Sequence, residues 1–278
     1  MTRLLVTGAG GMLGTDFVLA ARSAGHDVIA AAHTDLDITD EAAVRRATDD
    51  ERPDAIVNCA AWTDVDGAES DPDGAGALNA AAPGHLARAA ARAGASVLHV
   101  STDYVFDGSK GAPYVESDAT SPISVYGRSK LAGEQAVAEA NPRHWVARTA
   151  WVFGASRQTF VSVSLEQGRE VRGLTDQFGS PTWTGHLATA LLELLAGEAY
   201  GVHHVAGAGV CSRYELAEEA IRCAGGGATL VPTTLDQFDA PAPRPHFSAL
   251  TSERADGVAL PPWQEGVARF VAERMVAR

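Results

Sequence analysis

Arg3-Leu4-Leu5-Val6-Thr7-Gly8-Ala9-Gly10-Gly11-Met12-Leu13-Gly14 joins a short apolar run to a segment whose apolar residues Met12, Leu13, Phe17, Val18 and Ala21 recur at helical spacing. A strand that turns through glycines into a helix is the start of a βαβ unit that holds a dinucleotide. The three-residue spacing of Gly8, Gly11 and Gly14 suits that task. The first glycine permits a tight turn, the second admits the pyrophosphate to the backbone, and the third lets helix and strand pack closely. The unpaired N–H groups of the helix start, with their partial positive charge, then face the diphosphate.

Outward from this turn, strand and helix patterns alternate. Strands are expected at Asp27–Ala32, Asp54–Asn58, Ser96–Ser101 and His144–Thr149, and helices at Ala75–Ala93 and Ser124–Ala140. Such alternation implies crossovers in a parallel sheet. After Gly154 the regularity loosens, with helical patterns at Thr159–Gly168, Thr184–Ala196 and Ser212–Ala224 and a last helix from near Trp263. Ser212 with Glu215 three residues on reads as a capping box. The expected fold is α/β: a doubly wound parallel sheet of the Rossmann type over 1–154. A smaller mixed α/β substrate-binding region over 155–278 packs against it and returns some elements to it.

The chain of 278 residues carries 22 Lys and Arg against 35 Asp and Glu, a net charge of −13. Such acidity argues against nucleic acid as a partner. An anionic ligand must instead be held locally by backbone amides and a few arginines. Arg244, in the proline-rich Asp239–Pro245, is a candidate for a substrate diphosphate, which suits the guanidinium fork. Cys59, Cys211 and Cys223 form no CxxC or Cys/His cluster, so they read as inert thiols and no metal is expected. No apolar run approaches the ~20 residues of a membrane span, and no signal-peptide pattern precedes the first strand. A soluble cytoplasmic protein without a membrane partner is expected.

The second decisive stretch is Tyr126-Gly127-Arg128-Ser129-Lys130. Four residues are about one helical turn, so both side chains share a face. A phenol is a poor acid–base catalyst near neutrality. An adjacent ammonium stabilises the phenolate and lowers its pKa, and can also bond a nicotinamide ribose. The preceding Ser101-Thr102-Asp103 brings a hydroxyl to the C-terminal edge of the sheet, where doubly wound folds bind ligands. Together these point to a nicotinamide-dependent enzyme acting on a carbonyl or an alcohol. No acidic residue or arginine closes the second strand at Ala32-His33-Thr34, so NADPH and NADH both stay open as cofactor.

On these motifs, and on NCAAWTDVDGAE, STDYVFDG, YGRSKLAGE, RTAWVFG, DQFGSPT and RPHFSAL, the chain resembles the extended short-chain dehydrogenase/reductases, and among them the dTDP-4-dehydrorhamnose reductases. The likeness runs nearly end to end. It implies NAD(P)H-dependent reduction of the C4 keto group of a dTDP-4-keto-6-deoxyhexose. It also implies site roles: Tyr126 as proton donor, Lys130 tuning it and binding the ribose, and Thr102 hydrogen-bonded to the keto oxygen. Thr102, Asp103 and Trp151 align with residues that contact the nucleotide sugar. Gly11, Met12, Leu13, Asp37, Ile38, Ala60, Ala61 and Trp62 align with the cofactor shell. A homodimer is an assembly the likeness leaves open. Some relatives use a magnesium ion at their dimer interface, but only Asp16 lies near a matching position.

The chain departs from the family pattern in its substrate half. Thr159 and Phe247 stand where asparagines are usual, and Trp62 where His or Tyr is common. Those departures suggest an altered sugar preference in a deoxysugar or antibiotic pathway. A dehydratase of this fold needs a second carboxylate after Asp103, where Tyr104 stands instead. An epimerase keeps its nicotinamide bound, and a non-catalytic regulatory subunit would tolerate loss of Tyr126.

Overall fold

The computed structural model describes residues 1–276. Its first half alternates as the apolar runs require: β1 (Arg3–Thr7), α1 (Met12–Ser23), β2 (Asp27–Ala31), α2 (Glu41–Glu51), β3 (Ala55–Asn58), α3 (Val65–Ser70), α4 (Pro72–Gly76), α5 (Ala82–Ala93), β4 (Ser96–Thr102), α6 (Val125–Ala140) and β5 (His144–Thr149). The second half comprises β6 (Val152–Phe153), α7 (Phe160–Ser164), β7 (Glu170–Leu174), β8 (Phe178–Gly179), β9 (Thr182–Trp183), α8 (Thr184–Leu195), β10 (Gly201–His204), β11 (Cys211–Ser212), α9 (Arg213–Ala224), β12 (Thr229–Thr233) and α10 (Trp263–Val276).

Six strands form one parallel sheet in the order β10-β5-β4-β3-β1-β2. The order reverses between β1 and β3, so a crevice opens at their C-terminal ends. Both faces are buried, which is why the strands read as continuous apolar runs. Leu4 and Val6 point toward α1 and α8, meeting Phe17, Leu187 and Leu191. Leu5, Ile56, Val97 and Val146 point the other way, toward Val44 of α2, Leu86 of α5 and Val137 of α6. A third cluster, with Phe106, Phe153, Leu216 and Phe270, holds the later elements together. The edge strand β10 comes from residues 201–204, beyond the boundary read at 154.

Several elements differ from the sequence reading. Helix α2 was not expected, because Glu41–Glu51 buries only Val44 and Thr48 and its apolar stripe is too narrow to show as a period. The helix read as Ala75–Ala93 is interrupted by a π-helical turn over Ala77–Ala81, where Asn79 turns inward. Asn79 accepts from the Trp62 amide at 2.9 Å and donates to the Ser129 hydroxyl at 3.0 Å, so the distortion joins the β3 exit to α6. The Thr159–Gly168 helix shortens to Phe160–Ser164, with Thr159 as its cap. The Ser212–Glu215 capping box forms. No helix among the described residues is long and apolar enough to cross a membrane.

Helix α6 is fastened to the sheet by a buried ion pair. Arg148 of β5 donates through Nη2 to Glu134 Oε2 at 2.7 Å and through Nε to Oε1 at 3.0 Å, and Ser101 of β4 donates to the same carboxylate at 2.5 Å. Both charged side chains are about 5% exposed. Removing one member leaves the other charged and unpaired in the core. Glu134→Ala is therefore expected to lower unfolding free energy by about 3–5 kcal/mol, read from the urea midpoint. A loss near zero would reject this pair as the fastening of α6.

Candidate active site

A cavity of about 660 Å³ opens along the C-terminal edge of the sheet. One end is the glycine turn. Gly8 has φ +68°, and a Cβ there would come within 2.5 Å of the Ala60 amide nitrogen. A Cβ on Gly14 would lie 2.1 Å from the Gly8 carbonyl oxygen. Those two positions thus hold the turn against β3 and α1 against the turn. Gly11 is the N-cap of helix α1, so no side chain caps its first N–H groups. Gly8, Gly10, Gly11, Met12 and Leu13 line the cavity there, so the cradle fits the diphosphate of a dinucleotide.

Ile38, Ala60, Ala61, Thr102, Asp103, Tyr126, Lys130 and Trp151 also face this cavity. Gly14 lies behind the turn. Asp37 does not line it: its carboxylate accepts from the Thr39 amide and hydroxyl, at 2.9 and 2.7 Å, in an exposed turn. Trp62 is likewise turned aside, its Nε1 donating to the Asp64 carbonyl at 2.9 Å. Arg244 is drawn to α3, donating to Asp66 Oδ2 at 2.6 Å and Oδ1 at 3.1 Å. Its guanidinium thus neutralises a carboxylate 178 residues away, a pairing no local pattern encodes. Leu36, Leu78, Thr63 and Arg157 line the cavity without having been singled out. Arg157 stands in an irregular loop, where periodicity carries no signal.

At the middle of the cavity, Tyr126 is half-buried and meets the edge of Tyr104, with ring centroids 5.7 Å apart. Its hydroxyl is pushed above the ordinary phenol value, first by burial and then by the charges of Asp103 and Tyr104, against a hydrogen bond with Thr102. Lys130 is not among the groups that shift it, contrary to the reading from spacing. The reason is geometric: Lys130 Nζ donates to the Val100 carbonyl at 2.7 Å, on the sheet side. Burial lowers the Lys130 amine to about 8, against the charges of Glu134 and Cys59.

Asp103, 2% exposed, accepts from Ser248 at 2.5 Å and from Thr102 at 3.1 Å. Burial lifts its carboxyl to about 6 against those bonds and the Arg213 charge. Trp151 is one of two non-glycine residues with positive φ among the described residues, at 46°. Its ring lies against Gly179 and under the Arg213 guanidinium, 3.6 Å from the centroid. Strain of this kind collects where a side chain must be aimed. Of the departures, Thr159 caps α7 and Phe247 packs on Phe178 at 6.0 Å.

The Asp103 carboxyl releases its proton at about 6 when folded against an ordinary 3.8, so folding is weakened as pH rises through that interval. Asp103→Asn is expected to gain on the parent by up to about 3 kcal/mol between pH 4 and pH 7.5 in urea unfolding. A pH-independent difference would exclude this raised carboxyl.

The chain matches the family of the RmlD substrate binding domain over residues 1–276. It is 43% identical over 280 residues to a dTDP-4-dehydrorhamnose reductase of Mycolicibacterium smegmatis, covering 97% of this chain and 85% of that one. It is 44% identical over 275 residues to a probable dTDP-4,6-dihydroxy-2-methyloxan-3-one 4-ketoreductase of Streptomyces antibioticus, covering 95% and 91%. Among solved structures, the Bacillus anthracis dTDP-4-dehydrorhamnose reductase in complex with NADP superposes with a TM-score of 0.94 at 33% identity, covering 98% and 99%.

Proposed function

The chain belongs to the dTDP-4-dehydrorhamnose reductase family, and from that premise we propose how its own residues carry out the reaction. The protein is an NAD(P)H-dependent sugar-nucleotide 4-ketoreductase acting on the C4 keto group of a dTDP-4-keto-6-deoxyhexose. The observation that carries the residue roles is the single cavity running from the glycine turn past Thr102, Tyr126 and Lys130 to Trp151.

Gly8, Gly10, Gly11, Met12 and Leu13 would hold the cofactor diphosphate, with Ile38 and Ala60–Ala61 around the nucleosides. When bound, the reduced nicotinamide supplies a hydride to C4 of the sugar. Tyr126 gives its phenolic proton to the C4 oxygen as negative charge develops there. A phenol held above its ordinary value is protonated throughout the neutral range, the form that reduction requires. Thr102 donates to the same oxygen by turning its hydroxyl from Asp103. Lys130, one turn along α6, stabilises the phenolate once its amine leaves the Val100 carbonyl for the cofactor ribose. Trp151 offers an aromatic face to the sugar, held in aim by Arg213. We assign Arg244 to positioning through Asp66 in place of direct diphosphate contact. Tyr104 occupies the position where a dehydratase needs its second carboxylate, and its ring packs on Tyr126.

Turnover should oxidise NADPH or NADH when dTDP-4-keto-6-deoxyglucose is supplied, and adding a 3,5-epimerase identifies the epimer preferred. No cofactor oxidation with either sugar would reject the substrate class. Tyr126→Phe is expected to lower kcat by about 10²–10⁴-fold with NADPH affinity kept. A variant turning over at the parent rate would remove Tyr126 as proton donor. A homodimer, which the family likeness leaves open, is tested by sedimentation; a lone monomer would reject it. A cytoplasmic site of action is inferred from the reaction's demand for reduced nicotinamide.

A further inference from the structure

Thr7, Asn58 and His99 stand side by side on β1, β3 and β4, paired in register as Thr7↔Asn58 and Asn58↔His99. All three are at most 1% exposed, and they share the face that meets α6. Polar groups in so apolar a layer must satisfy one another.

The protons in this row can be assigned from one fixed donor. The Ala60 amide donates to Asn58 Oδ1 at 3.1 Å, and the Thr7 hydroxyl donates to the same oxygen at 2.8 Å. That sets the Asn58 amide, so its Nδ2 is the group 3.0 Å from His99 Nδ1. An amide nitrogen donates, so Nδ1 is the acceptor and the neutral ring carries its proton on Nε2. Nε2 lies 3.4 Å from Lys130 Nζ. A donor facing an ammonium is repulsive, whereas a neutral amine can accept from it.

We propose that His99 is a positioning residue for the reaction: its Nε2–H, locked by Asn58 and Thr7, favours the neutral Lys130 amine on the sheet, so that binding of the reduced dinucleotide is accompanied by proton uptake at Lys130. This rests on the reading that Lys130 meets the cofactor. The charged and titratable groups acting on Lys130 are His99 on β4, Cys59 beyond β3, and Glu134 on α6, the last paired with Arg148 of β5; Tyr126 stands one turn earlier on the same helix. Burial lowers His99 and lifts the Cys59 thiol to about 12, so both are neutral near pH 8.5. The Tyr126 phenol is raised too and stays protonated. Lys130, at about 8, is the group in this set left to change charge there.

The test is titration of NADPH, without sugar, into the full-length protein in weakly buffered solution with a pH indicator. At pH 8.5 the parent is expected to take up roughly three-quarters of a proton per site. Its NADPH Kd, read by fluorescence, should weaken above pH 8 by up to about tenfold per pH unit. His99→Gln keeps an acceptor toward Asn58 and a donor toward Lys130, so it should retain both signatures. Asn58→Asp presents only acceptors, turns the His99 tautomer over, and offers Lys130 a lone pair. Uptake should then fall toward zero and the Kd should stay flat across this range. NADPH bound without proton uptake by the parent, or an Asn58→Asp variant indistinguishable from it, would overturn the proposal while leaving the reductase reading intact. Absence of NADPH binding would overturn that reading, and the proposal with it.

Discussion

The docking of α6 on the sheet is the constraint on which the site depends. Tyr126 and Lys130 matter only if their helix is held at one height and one rotation above β4. Three contacts set that position. Glu134 is gripped by Arg148 and Ser101. Ser129 meets the inward-turned Asn79. Gly133 lets α6 approach so closely that a Cβ would come within 2.1 Å of the Asn79 carbonyl oxygen. A buried ion pair is a weak source of net stability against an apolar substitute, but it tolerates little displacement. Here its directionality aligns the Tyr126 and Lys130 face of α6 with the strand ends.

The same economy of polar groups appears on the other side of the cavity. An acidic chain holds its anionic ligands with few cations, and most of those cations are already engaged. Arg244 serves Asp66, Arg148 serves Glu134, and Arg213 lies on Trp151. The cradle proposed for the diphosphate is accordingly made of the backbone amides of the glycine turn. Asp103 links the end of β4 to the C-terminal segment through Ser248, 145 residues away. Its desolvated carboxyl and the strained Trp151 are both unfavourable to stability, the usual condition of groups held ready at a site.

Much of the fold was legible because parallel strands buried on both faces must be apolar runs and crossovers must be helices. The five strands read in the first half all form, within one residue at their ends. What escaped notice had little hydrophobic signal. Helix α2 is mostly charged, and β10 reads Gly-Val-His-His yet closes the sheet beside β5. The π turn at Ala77–Ala81 is set by Asn79, whose partners come from distant segments. Eight of the residues singled out beyond the glycine turn face the cavity, because strand ends and one helix face are fixed by local geometry. Asp37, Trp62 and Arg244 point elsewhere because their side chains found nearer partners.

From the amino-acid order alone came the βαβ start, the parallel sheet, and the shared face of Tyr126 and Lys130, since each depends on contacts a few residues apart or on burial periodicity. Tertiary structure alone decided what charge those side chains carry and where they point. Lys130 lies against Val100 and His99, not against the phenol, because a buried amine takes the nearest fixed carbonyl. The tautomer of His99 follows from a row of three strands in register, and register across strands is a property of the assembled sheet.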